Sequence, residues 1–323
     1  MFKLSINDQT HQCLENETVL DALLRAEVKI AYVCQKGTCH TCMLRSLDAP
    51  PPTQAQSGLK STLKSQNYFL ACLCHPQQDM QLKIPNHAEM YTQARVVSKT
   101  QLNHNTLGLS IAVTPDFEFH AGQFINLQRP DGLTRSYSIA NIPDSSHTLE
   151  LHIRQLANGR FSNWVQQELK VGDSIAVSEA QGHCFYLPER VEQGLLLVGT
   201  GTGLAPLLGI LTDALKQQHT GPIYLFHGSH TLEDLYLIEK LQQLAAQFSN
   251  LQYTPCISGT PAPAGFAEGR AHEVALRTVP NLKNWRVYLC GHPEMVNQMK
   301  MQSFLKGAAS GDIYADAFFA APA

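Results

Sequence analysis

Cys34, Cys39, Cys42 and Cys72 follow a C-x4-C-x2-C spacing completed by one distant cysteine, and a fold that uses them as one site must bring a loop and a remote element together. A cluster of two irons and two sulfides needs two thiolates on each iron. The short spacing can wrap one loop around such a cluster while Cys72 closes it from elsewhere. Gly37 lets that loop turn tightly and aim its amides at the sulfurs. Four thiolates also suit a structural zinc ion, but zinc ribbons favour paired C-x2-C knuckles. Here a single knuckle follows a longer step, so the spacing favours a 2Fe–2S cluster. Cys13, Cys74, Cys184, Cys256 and Cys290 are scattered, and an odd total of nine argues against a complete disulfide framework. His40 is not expected to be a ligand, and Cys74 reads as a spare buried thiol.

A chain of 323 residues suggests two or three domains. Residues 1–87 hold the clustered cysteines, with strands at FKLSI (2–6), YFLAC (68–72) and MQLKI (80–84). Thr18 with Asp21 forms a capping box that opens a helix. PNHAEMYTQ (85–93) reads as a linker. Residues 88–189 carry short alternating runs at 107–113, 123–128, 136–140, 149–155 and 174–178, which predict a small antiparallel β-barrel interrupted by one helix near 162–169. From 190 to 323 the period changes. Strands at 195–199, 223–228, 252–258, 285–291 and 312–316 alternate with helices expected from Leu204, from Thr231 (with Asp234 completing a second capping box) and from Pro293. That pattern predicts an α/β domain with a doubly wound parallel sheet.

The formal net charge of -3 argues against a nucleic-acid binder acting through bulk positive charge. No apolar run approaches the ~18 residues of a membrane span, and MFKLSINDQTHQC lacks the apolar core of a signal peptide. The expectation is a cytoplasmic monomer with no membrane or nucleic-acid partner.

In the middle segment, Gly122-Gln123-Phe124 is followed by Arg135-Ser136-Tyr137-Ser138, His152-Ile153-Arg154 and Gly159-Arg160-Phe161-Ser162. A flavin needs an apolar or aromatic wall, donors near its reactive nitrogen, and cations or helix amides for its pyrophosphate. Arg135 can neutralise phosphate, Tyr137 can flank the ring, and Ser138 can approach the ring edge. The glycine before a helix N-terminus suits a pyrophosphate. In the last segment, Gly199-Thr200-Gly201-Thr202-Gly203 leaves a strand and opens a helix, as a dinucleotide pyrophosphate requires. It is not a strict G-x-G-x-x-G, and no acidic residue ends the next strand. Cys290-Gly291-His292-Pro293-Glu294-Met295 is a second loop of this kind, and both should meet at the carboxyl edge of the sheet.

Residues 1–87 resemble a plant-type ferredoxin domain, which implies a β-grasp α+β fold. The order GQF, RSYS, HIR, G-x-x-S resembles the FAD-binding barrel of the ferredoxin–NADP reductase superfamily. The two glycine loops resemble that superfamily's nicotinamide domain. The three-domain order resembles, over nearly the full length, the bacterial single-chain reductases of aromatic-ring dioxygenases, phenol hydroxylase and soluble methane monooxygenase, and the deoxysugar (glucoseen) reductases. The resemblance implies electron flow from NAD(P)H through FAD to the cluster and on to an oxygenase or dehydratase component. It implies FAD rather than FMN, because the FMN-binding relatives carry the ferredoxin at the other end. It implies catalytic roles for Ser138 and for Cys290, near nicotinamide C4, and an aromatic from Phe318 or Phe319 over the flavin. NADH is favoured, because His230 stands where an Arg often reads the 2′-phosphate and Glu233 and Asp234 follow. A small-molecule acceptor and a non-catalytic redox sensor are the alternatives; three complete sites argue against the sensor.

Overall fold

The computed structural model describes residues 1–59, 61–85 and 90–319. Its first sheet runs β2-β1-β5-β3-β4, from β1 (Phe2–Ile6), β2 (Gln9–Cys13), β3 (Met43–Ser46), β4 (Tyr68–Leu70) and β5 (Met80–Lys83). β1 and β5 are parallel, and the other pairs are antiparallel. The Val19–Arg25 helix packs Val19, Leu20, Ala22 and Leu23 into a core with Leu4, Ile6, Leu44 and Phe69. Its start is the expected capping box: the Asp21 amide donates to Thr18 Oγ1 at 3.1 Å, and the Thr18 amide donates to the Asp21 carboxylate at 3.4 Å. The result is a β-grasp domain.

The second sheet is antiparallel, in the order β10-β7-β6-β11-β8-β9. Its strands are β6 (Thr92–Gln101), β7 (Thr106–Ala112), β8 (Phe124–Gln128), β9 (Thr134–Ser138), β10 (Thr148–Arg154) and β11 (Ser174–Val177). A bridge between Ile139 and Leu151 closes the ring into a barrel. Alternate residues fill it, among them Leu107, Leu109 and Ile111 from β7. β6 begins inside the stretch expected to be linker. Only Ala94 and Val96 of this strand are buried and the pairing is bulged between Val96 and Ser98, so it carries little alternation to read.

The third sheet is wholly parallel, in the order β15-β14-β13-β12-β16-β17. These are β12 (Gly194–Thr200), β13 (Ile223–Ser229), β14 (Leu251–Ile257), β15 (Ala267–Glu268), β16 (Trp285–Gly291) and β17 (Ile313–Ala317). Leu195 and Leu197 of β12 face one core with the Leu204–Lys216 and Ile238–Gln247 helices. Leu196 and Val198 face the other, with Ala271–Thr278 and Pro293–Leu305. This is the doubly wound architecture, and strand order reverses between β12 and β16, where such sheets bind ligands.

One helix starts later than its sequence signal. It begins at Ile238 instead of Thr231. Thr231 Oγ1 still donates to Asp234 Oδ2 at 3.1 Å, but Asp234 Oδ1 accepts from Asn105 Nδ2 of the barrel at 3.3 Å. That carboxylate serves a contact between domains instead of a helix start. Among the described residues no helix is long and apolar enough to cross a membrane.

Candidate functional site

The cysteine loop leads into β3, and its backbone takes the left-handed region at Gln35, Gly37 and His40. These turns point amides inward. The Lys36 and Cys39 amides each donate to Cys34 Sγ at 3.4 Å, and the Cys34 amide donates to Cys39 Sγ at 3.5 Å. At Gly37 a Cβ would lie 2.3 Å from Leu73 Cδ1, so a side chain has no room. Pairing of Met43 with Leu70 brings the distant cysteine in, and the Ala71 amide donates to the Cys42 carbonyl at 3.1 Å. Among the described residues no three His, Cys, Asp or Glu side chains gather around a single-ion position. The thiols instead stand as two pairs. Cys34 is drawn down by the Cys39 thiol donating to it, and Cys72 by the Cys42 thiol, with backbone amides adding to both. Two thiol pairs under amide donors fit two irons that each take two thiolates. His40 lies beside them as a neutral imidazole: burial and the nearby His183 push it down to about 4.

Cys34 and Cys39 line a cavity of about 2780 Å³ that all three sheets share. On the barrel side it is walled by Arg135, Ser136, Tyr137, Ser138, His152, Arg154, Gly159, Arg160, Phe161 and Ser162. The Tyr137 and Phe161 rings meet at 5.7 Å, an aromatic wall. The Arg160–Gln167 helix opens at Gly159, where its first amides are free for an anion. Gln128 Oε1 and Gln181 Oε1 line the same cavity, buried and without a partner among the described residues, and so would accept from a bound molecule. The residues present therefore fit a flavin dinucleotide. Two members of the sequence motif make contacts away from the cavity. Ile153 is core, buried inside the barrel. His152 Nδ1 lies 2.9 Å from the hydroxyl of Tyr236 in the third domain, and burial pushes it down to about 3.

On the nucleotide side Thr200, Gly201, Thr202 and Gly291 line the cavity. Gly199 and Gly203 act behind them by close packing. A Cβ on Gly203 would lie 2.2 Å from the Cys290 carbonyl oxygen, so the two glycine loops touch only because this residue has no side chain. The His292 amide donates to Thr200 Oγ1 at 3.0 Å and ties them. Cys290 is placed otherwise than the resemblance implies. It is fully buried, its Sγ lies 3.7 Å from Cys184 Sγ, and it does not line the cavity. Ser229, His230, Ser258 and Arg270 line the end nearest β13 and β14.

β17 delivers the last wall residues. Phe318 and Phe319 both line the cavity; the Phe318 amide donates to the Gly291 carbonyl at 2.8 Å, and Lys36 Nζ lies 4.0 Å from the Phe319 ring centroid. Asp316 was not anticipated. Its one sequence signal is an acid inside an otherwise apolar final strand. Ser138 Oγ donates to Asp316 Oδ2 at 3.5 Å. Burial raises the carboxyl to about 6, with Cys34 adding and Ser138 opposing. The folded chain thus holds this proton more tightly than the unfolded one does. Stability from this group is full below the ordinary carboxylate value of 3.8 and falls as pH rises through about 6. Thermal denaturation against pH should show that loss in the wild type, and Asp316→Asn should lack it. Parallel curves for the two proteins would contradict the assignment.

Three family descriptions match the chain: "2Fe-2S iron-sulfur cluster binding domain" over residues 3–77, "Oxidoreductase FAD-binding domain" over 93–186, and "Oxidoreductase NAD-binding domain" over 197–301. The chain is 36% identical over 313 residues to the ferredoxin–NAD(P)(+) reductase component of the naphthalene 1,2-dioxygenase/salicylate 5-hydroxylase systems of Ralstonia sp., covering 94% of this chain and 93% of that one. It is 34% identical over 307 residues to the corresponding naphthalene 1,2-dioxygenase component of Pseudomonas putida, covering 93% of each. Among solved structures it resembles the Amycolatopsis cytochrome P450 reductase GcoB, with a TM-score of 0.71 and 27% identity over 98% of this chain and 99% of that one.

Proposed function

The chain belongs to the ferredoxin–NAD(P)(+) reductases that join a 2Fe-2S domain, an FAD-binding domain and an NAD-binding domain, and on that premise we propose which of its residues do the work and what they serve. In such an oxidoreductase NAD(P)H supplies two electrons as a hydride, FAD accepts them together and releases them singly, and the cluster carries one at a time to a separate protein. The observation that carries the assignment of roles is the single cavity onto which the cysteine loop, the RSYS strand and both glycine loops open.

Cys34, Cys39, Cys42 and Cys72 hold the cluster, with amides from their own loop donating to the sulfurs. Arg135 and the amides opening the Arg160–Gln167 helix hold the flavin pyrophosphate, while Tyr137 and Phe161 wall the ring. Thr200, Gly201, Thr202 and Gly291 take the nicotinamide pyrophosphate, and Arg154 adds positive charge beside Gly201. The Ser138–Asp316 pair serves the reacting edge of the ring. Cys290 supports that edge from behind the wall, packed on Cys184. Phe318 covers the ring in preference to Phe319, whose face Lys36 occupies. The units are residues 1–87, 88–189 and 190–323.

The acceptor is an oxygenase component, with a dehydratase component as the alternative, and the protein acts as a monomer. Nine free thiols favour the reducing cytoplasm. NADH is the reductant, because no Arg follows Ser229. Arg270 supports a second assignment, since it lines the same end of the cavity and could pair with a 2′-phosphate.

The purified protein should contain about one FAD and one 2Fe–2S cluster per chain. Zinc without iron after anaerobic preparation would overturn the cluster. The kcat/KM for NADH should exceed that for NADPH by about tenfold or more. A preference for NADPH that is lost in Arg270→Ala would establish the second assignment instead.

A further inference from the structure

Asn126 lies in the middle of β8 and is 2% exposed. All four of its polar groups are engaged. Its amide donates to Ser178 Oγ at 2.9 Å, and its carbonyl accepts from the Ser178 amide at 3.0 Å. Its side-chain Nδ2 donates to the Cys39 carbonyl at 2.9 Å, and its Oδ1 accepts from Ser136 Oγ at 2.7 Å. The orientation of the side-chain amide is forced. A carbonyl can only accept, so the NH₂ must face Cys39, and the hydroxyl of Ser136 must then be the donor to Oδ1. Ser136 stands opposite Asn126 in the β8–β9 register and belongs to the RSYS strand. Cys39 belongs to the cysteine loop, and its own amide and thiol are both hydrogen-bonded to Cys34. Three residues thus link the flavin strands to the cluster loop without a gap.

We propose that Asn126 is a positioning residue for electron transfer, which fixes the cluster loop against the flavin strands; the proposal rests on the route from flavin to cluster given above. Domains joined by a linker move relative to one another unless their interface holds them. Electron transfer weakens steeply with separation, so a small displacement of the loop matters more here than in an ordinary interface. A leucine of the same branched shape would occupy the space without burying an amide. What the amide adds is direction, because a buried, fully satisfied polar network accepts one arrangement of its members.

The test uses full-length, cluster- and FAD-loaded protein carrying Asn126→Leu or Asn126→Ala. Four quantities are measured: deuterium uptake across residues 34–42, the rate of cluster bleaching after mixing with NADH, ferricyanide turnover, and the cluster midpoint potential. Both variants should take up deuterium faster in the loop and, because the loop is displaced, reduce the cluster on the order of tenfold more slowly, equivalent to about 1.4 kcal/mol on the barrier. Ferricyanide turnover and the cluster midpoint potential should stay at the wild-type value. Should the leucine variant misfold, the smaller alanine variant still decides. Wild-type deuterium uptake and bleaching rate in a folded variant would overturn the proposal. So would a slower rate fully explained by a shifted potential, because Asn126 would then tune the cluster instead of placing it. A wild-type cluster that NADH never reduces is a distinct result, and it would overturn the electron route itself.

Discussion

Cys42→Ser and Cys72→Ser should each reduce NADH-dependent cytochrome c reduction on the order of a hundredfold or more, while ferricyanide reduction stays near the wild-type rate. Both residues are buried behind the loop, at 3% and 7% exposure, and form one of the two thiol pairs. A serine oxygen is a poor substitute for a thiolate on iron, and no neighbouring thiol is free to replace it. Cys74 is two residues from Cys72, but burial pushes its thiol up to about 12, so it is a reluctant thiolate. Flavin and nicotinamide sites lie beyond this segment and should be untouched. Cytochrome c reduction that survives in both variants would mean that electrons leave directly from the flavin.

Gly203→Val should lower kcat/KM for the nicotinamide by about ten- to a hundredfold, the rate equivalent of overpacking a rigid site. The new Cβ would sit 2.2 Å from the Cys290 oxygen and 2.9 Å from Gly291 Cα, both backbone atoms that cannot rotate away. One glycine loop must move off the other, and the anion site they form together opens. FAD content should be unchanged, and dithionite should still reduce flavin and cluster. Unchanged NADH kinetics would show that the contact of the two loops is dispensable.

The parts of this site that were legible in the sequence are those with short-range chemistry. Cysteine spacing, the Thr18–Asp21 capping box and the glycine loops each declare themselves within a few residues, and alternation revealed most of the barrel. β6 stayed hidden because it buries only Ala94 and Val96. The remaining gaps concern pairings across the chain. His152 is engaged by Tyr236, Asp234 by Asn105, Ser138 by Asp316 and Cys39 by Asn126. Each joins segments from different sheets, and no local pattern records which polar residue will find which partner. Cys290 shows the converse: its loop motif was readable, but the direction of its side chain depends on Cys184, over a hundred residues away in sequence.

The shared cavity has a kinetic consequence. Handoffs inside it are first-order events, fixed by a tether and independent of how dilute the enzyme is. They also need no encounter in solution, so ionic strength has no association step to act on. Capture of the nicotinamide and delivery to the acceptor are the steps that depend on two molecules meeting, and these should slow with dilution. Ionic strength should therefore act on this enzyme through those two encounters and leave the handoffs between them unchanged.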